Sequence, residues 1–117
     1  MNCNKTIGEK AEETATGWLI KKGYTIIERN WRHKHWEIDI IASKENKLHF
    51  VEVKSRSTVR YGYPEAAIGH QKLLALKNGI EEYLLLYPEW SIIQIDVLTV
   101  VWKLGRVQEL LMIEDVY

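Results

Sequence analysis

Ala11, Ala15, Trp18, Leu19 and Lys22 recur at intervals of three and four residues, the spacing that lines up side chains on one face of an α-helix. Just before them stands Thr6-Ile7-Gly8-Glu9, a pattern in which the threonine hydroxyl and the glutamate carboxylate each accept from a free amide of the first turn. Gly23 marks the helix end. The period then falls to two. Tyr24 to Glu28, Glu37 to Ala42 and Leu48 to Lys54 read as strands, the last two separated by the polar stretch Ser43-Lys44-Glu45-Asn46-Lys47. After a loop through Gly62 and Pro64, the residues Leu73, Leu76, Ile80, Tyr83, Leu84 and Tyr87 restore the helical period, and Pro88 closes it. Ile92 to Val101 and Val107 to Met112 are the last two strands. The order α-β-β-β-α-β-β predicts an α/β protein with a mixed central β-sheet flanked by helices. No repeat or linker interrupts residues 1–117, so a single domain is expected.

Composition changes this picture little. The 16 basic and 16 acidic side chains cancel, which gives no support to a non-specific nucleic-acid coat. Charge is local instead: Arg29, Arg32 and Lys34 with His33 and His35 form one basic stretch, and Lys54, Arg56 and Arg60 another. The lone cysteine, Cys3, cannot make an internal disulfide, which points to a reducing cytoplasm. No apolar run approaches the ~20 residues that span a bilayer. Glu9, Glu12 and Glu13 interrupt the region where a signal peptide needs apolar residues. A cytoplasmic protein without a membrane partner is the expectation.

The candidate chemistry lies in the hairpin. Centring its turn on Glu45-Asn46 pairs Ile40 with Val51 and Ile38 with Val53, a consistent apolar face. The same register sets Asp39 opposite Glu52 and Glu37 opposite Lys54. Two carboxylates roughly 5 Å apart repel by about 3 kcal/mol at an effective dielectric near 20. A shared proton, a neighbouring cation such as Lys54, or a bound metal would offset that. A hard ion held by two carboxylates and several waters suits Mg²⁺. The plainer reading is a half-exposed strand, with Glu37–Lys54 a surface pair worth under about 1 kcal/mol. Against it, both charged groups sit inside very apolar runs, where charge persists only with a partner or a task.

Other chemistries have less support. His33-Lys34-His35 has no further Cys or His at zinc spacing. Gly8 and Gly17 lack phosphate-loop spacing, and Ser55, Ser57 and Ser91 lack a nucleophile elbow. Trp31, Trp36 and Trp90 are of the type that stacks on unpaired bases, though amphipathic packing accounts for them equally.

Glu37-Ile-Asp39-Ile-Ile-Ala followed by Phe50-Val-Glu52-Val-Lys54-Ser-Arg56 resembles the core of the YraN-like bacterial family. Its members are regarded as predicted endonucleases distantly similar to archaeal Holliday-junction resolvases. The resemblance runs from about Gly8 to Val100 and takes in Gly8, Ala11-Glu12, Ala15, Trp18-Leu19, Gly23-Tyr24, Arg29-Asn30, Gly62, Pro64, Lys72, Leu76, Tyr83-Leu84 and Asp96-Val97. It implies a restriction-endonuclease-like, PD-(D/E)XK core. Asp39 and Glu52 would hold Mg²⁺, with Mn²⁺ as substitute, aided by the Val53 carbonyl. Lys54 would position the attacking water or stabilise the growing negative charge. Glu12 is the candidate further acidic ligand, with an ordinary helix-surface role as the alternative. Glu37 is either an acid standing behind the ligands or the partner of Lys54. Arg29, Arg32, Arg56 and Lys72 are candidate phosphate contacts. Trp36 departs from the glycine usual in the family, which puts the shape of the site entrance in question. The implied function is a metal-dependent endonuclease acting on DNA, branched or single-stranded, and a homodimer if junctions are to be cut twice. The alternative is a catalytically inactive module that keeps the fold and binds nucleic acid or protein.

Overall fold

The computed structural model describes residues 6–57 and 69–116. Its elements are α1 (Ile7–Lys21), β1 (Thr25–His33), β2 (Trp36–Lys44), β3 (Lys47–Arg56), α2 (His70–Leu86), β4 (Ile93–Lys103) and β5 (Arg106–Ile113), in the order predicted. The loop through Gly62 and Pro64, together with Arg60 and Cys3, lies outside the described residues.

The start of α1 is set by the expected capping box. The Thr6 N–H donates to Glu9 Oε1 at 2.9 Å, and the Glu9 N–H donates to Thr6 Oγ1 at 3.1 Å. Gly23, at φ 96°, lets the chain leave the helix through a conformation other residues avoid. The turn between β2 and β3 has Glu45 at φ 53° and Asn46 at φ 65°, two consecutive left-handed residues whose twist matches that of the flanking strands. Ile40 then faces Val51, as the polar stretch implied.

The sheet order is β1-β2-β3-β4-β5, antiparallel throughout except between β3 and β4. A parallel pair needs a long crossover, which α2 supplies. Helix α1 covers one face, burying Ala15 and Leu19 against Tyr24, Ile40, Ala42, Val51 and Leu98. Helix α2 covers the other, burying Leu76, Ile80 and Tyr83 against Trp31, Ile38, Ile41, Leu48, Phe50 and Ile95. Fully burying each large side chain contributes about 1.5–3 kcal/mol, so these two layers hold the fold together. Because both faces are covered, β4 is buried without a break from Gln94 to Val101.

Two expectations need correction. Strand β1 does not stop at Glu28 but runs to His33, with a bulge between Ile26 and Glu28. Its basic second half resembles a loop in sequence because an edge strand exposes Arg29 and Arg32 to solvent. Ile38 does not share a face with Ile40 either. Ile40 packs under α1, whereas Ile38 joins Ile41 under α2, so the strict alternation of β2 fails at Asp39.

A polar cluster lies within the sheet. Asp96, 0% exposed, accepts from Gln94 Nε2 at 2.8 Å and from the Asp115 N–H at 2.9 Å, and bonds His49 Nδ1 at 2.8 Å. Such a buried carboxylate is tolerable because its oxygens are satisfied. Among the described residues no helix is long and apolar enough to cross a membrane.

Candidate active site

The break in alternation at Asp39 coincides with the end of regular pairing between β2 and β3. Their ladder reaches Ile40–Val51 and goes no further. Beyond it, the Val53 N–H donates to Asp39 Oδ2 at 2.9 Å, so a side-chain oxygen takes a backbone donor. On the other side, Arg29 faces Ile40 and Trp31 faces Ile38, which puts Asn30 at the register position opposite Asp39. Asn30 has φ 53°, a value asparagine tolerates better than most residues. The sheet is therefore distorted on both sides of one aspartate.

Glu52 projects from β3 and is 4% exposed. Its Oε2 lies 3.5 Å from Lys54 Nζ on the same strand and 3.4 Å from Lys72 Nζ in the first turn of α2. Burial, and then the charge of Asp39, push the Glu52 carboxyl above the ordinary carboxylate range despite both ammonium groups. The position of Glu12 on α1 brings a third acid to the same corner. Its carboxyl is also raised, by burial first and by Asp39 second, against the lowering effects of the Asn30 side chain, Arg29 and Arg32. Among the described residues, Glu12 Oε1 is a buried oxygen with no hydrogen-bond partner. Asp39, at the split in the sheet, thus lies between Glu12 of α1 on one side and Glu52, with Lys54 and Lys72, on the other.

Other candidates lie elsewhere. Glu37 does not pair with Lys54; it faces Arg32 across β1 and β2, at 3.4 Å, with side chains 61% and 70% exposed respectively. The cause is the early end of the β2–β3 ladder, which leaves Glu37 with only the β1 neighbour. Arg29 and Arg32 line the exposed β1 edge beside Glu12. Arg56 is exposed and turns its guanidinium back onto the Ser55 carbonyl at 3.3 Å. His33 and Lys34 both reach Glu82 at 3.4 Å. Asn30 is missed as a site residue; its signals are an asparagine inside a basic strand segment and the Arg29-Asn30 match to the family.

Among the described residues no three His, Cys, Asp or Glu side chains cluster tightly enough to hold an ion by themselves. Mg²⁺ does not require such a cage, because it keeps several waters and binds through one or two carboxylates. The all-oxygen donor set, the partnerless Glu12 oxygen and the mutual repulsion of the carboxylates fit a hard cation.

A mixed five-stranded sheet in this order, split beside an Asp-Glu-Lys set, defines a class of α/β protein compatible with the restriction-endonuclease-like core. The chain belongs to the uncharacterised protein family UPF0102, which matches residues 11–100 and is the YraN-like family of the sequence resemblance. A UPF0102 protein of Bacteroides thetaiotaomicron is 36% identical over 100 residues, covering 86% of this chain and 83% of the relative. One of Syntrophomonas wolfei is 36% identical over 104 residues, covering 88% and 90%. Another, of Prosthecochloris aestuarii, is 37% identical over 107 residues, covering 88% and 84%.

Proposed function

We propose that this protein is a metal-dependent endonuclease that hydrolyses phosphodiester bonds in DNA, with structured or branched DNA as its substrate. The observation that carries the reading is the placement of Asp39 between two further acids, Glu12 and Glu52, with Lys54 beside Glu52. A fold gains no stability from gathering like charges where burial already penalises them, so the arrangement is best explained by a task. Asp39 and Glu52 are the residues that would hold Mg²⁺, with the Val53 carbonyl as a further donor and Glu12, beside Asp39, reaching the ion through a water. When bound, the ion would polarise a phosphoryl oxygen and lower the pKa of a water. Lys54 would stabilise the negative charge that grows on the phosphorus oxygens. Lys72, Arg29 and Arg32 would contact the flanking phosphates and fix the strand.

The test is incubation of labelled junctions, flaps and single strands with Mg²⁺ or Mn²⁺. Cleavage is expected from the native chain and not from a doubly substituted Asp39→Ala, Glu52→Ala protein. Equal cleavage by both would trace the activity to a contaminant and remove the claim.

One observation favours a second reading, a DNA-binding module without catalysis. Glu52 already holds two ammonium groups, which partly neutralise it without a metal. Calorimetry separates the readings: DNA binding with no heat from Mg²⁺ or Mn²⁺ would select the module.

A further inference from the structure

Next to the carboxylates lies a half-open cleft of about 170 Å³, lined by His35, Trp36, Glu37, Lys72, Ala75 and Leu76. Its construction depends on Gly79 of α2. A Cβ at Gly79 would stand 3.3 Å from the Cβ of Trp36, so the bare helix backbone lets the tryptophan seat against α2. Trp36 is only half-buried even so, with the His35 ring 4.0 Å away and tilted by 40°. Trp36 thus borders the cleft together with two aliphatic residues, Ala75 and the almost fully buried Leu76. Lys72 stands between this cleft and the candidate active site, since its Nζ is also 3.4 Å from Glu52.

We propose that this cleft receives one unpaired nucleobase of the DNA strand whose phosphate lies at Lys72, a reading that rests on the DNA-directed function above. Aromatic and aliphatic side chains suit the face of a planar ring. The carboxylate of Glu37 offers an acceptor to a base edge. The volume is below the roughly 300–1,000 Å³ of sites that enclose drug-sized ligands, so it takes a ring system and not a whole free nucleotide. Lys72, the cation that lines the cleft, is half-exposed although paired with Glu52, and favours an anionic strand over an apolar peptide. A base within a duplex already has both faces stacked. The occupant is therefore a base in a flap, a junction arm or a single strand.

Binding in the presence of EDTA tests the cleft apart from any cleavage. The probes are oligodeoxythymidylates of about eight nucleotides and abasic strands of the same length. The native protein is expected to prefer the thymidylate by about tenfold, the worth of one base stacked on an aromatic ring. In Trp36→Ala this preference should fall to near one, and Trp36→Phe should keep most of it. Equal binding of both probes by the native protein, no binding of either, or an undiminished preference in Trp36→Ala would overturn the proposal. The native-protein comparison stands even if Trp36→Ala does not fold. A protein that shows the base preference but cuts nothing retains the cleft and loses the nuclease reading. One that cuts DNA but shows no base preference loses the cleft alone.

Discussion

Val53 donates its backbone N–H to Oδ2 of Asp39 across 2.9 Å, just past the point where the two strands cease regular pairing at Ile40 and Val51. One aspartate thereby replaces a rung of the ladder, and its carboxylate is held by the same strand that carries Glu52 and Lys54. The orientation of Asp39 is set by the sheet before any ligand arrives, the kind of support that keeps a site in a productive geometry.

Mg²⁺ at about ten times its dissociation constant is expected to stabilise the protein by about 1.4 kcal/mol, a rise of a few degrees in Tm. The shift should vanish in Asp39→Ala and shrink in Glu12→Gln. Differential scanning fluorimetry with and without Mg²⁺ measures it, and an unchanged shift in Asp39→Ala would remove that residue as a ligand.

In EDTA, Glu52→Gln is expected to stabilise the protein at neutral pH by about 1 kcal/mol. Burial and Asp39 raise the Glu52 carboxyl, so its charged form is the one the fold disfavours. The contribution of Glu52 to stability is therefore fully present below the unfolded value, near 4.5, and is lost as pH rises through the higher folded value. The gain from glutamine should accordingly fade on acidification. Urea denaturation at a series of pH values reads it, and a gain that grows towards acid would contradict the sign.

Asp96→Ala should cost about 3 kcal/mol, because it strands His49 Nδ1 and the Asp115 N–H and leaves Gln94 Nε2 with Glu114 as its acceptor. Asp96→Asn, which keeps an acceptor oxygen and the side-chain shape, should cost less. Equilibrium unfolding compares them.

The glycines of the two helices should respond oppositely. Gly17 has nothing within 4 Å of the point where a Cβ would stand, so Gly17→Ala should stabilise α1 by about 0.5–1 kcal/mol. At Gly79 the backbone is pressed against Trp36, and Gly79→Val should destabilise by about 2 kcal/mol through overpacking. Thermal melts of the two variants test the contrast.

The helices, the strand order and the β2–β3 turn were legible because each rests on local pattern: a capping box at Thr6, a period of 3.6 or 2, and two turn residues at Glu45 and Asn46. Cross-strand register likewise put Asp39 and Glu52 on adjoining strands. It failed for Ile38 and Glu37, because alternation assumes a continuous ladder and the ladder is interrupted at Asp39 itself. Helical spacing put Glu12 beside the buried side of α1, but only tertiary packing brings it to Asp39. The ion pair of Lys72 with Glu52 depends on where the crossover sets α2 down, which no local pattern encodes.

The single parallel pairing among the described strands has a consequence for how the protein comes into being. Glu12, Asp39 and Glu52 belong to the first helix and an early meander, elements that emerge first during synthesis and collapse through short loops. Lys72 arrives only when the chain has doubled back and β4 has docked beside β3. The nascent N-terminal half thus carries these acids with Lys54 but without Lys72, and closure of the crossover brings the second ammonium group to Glu52.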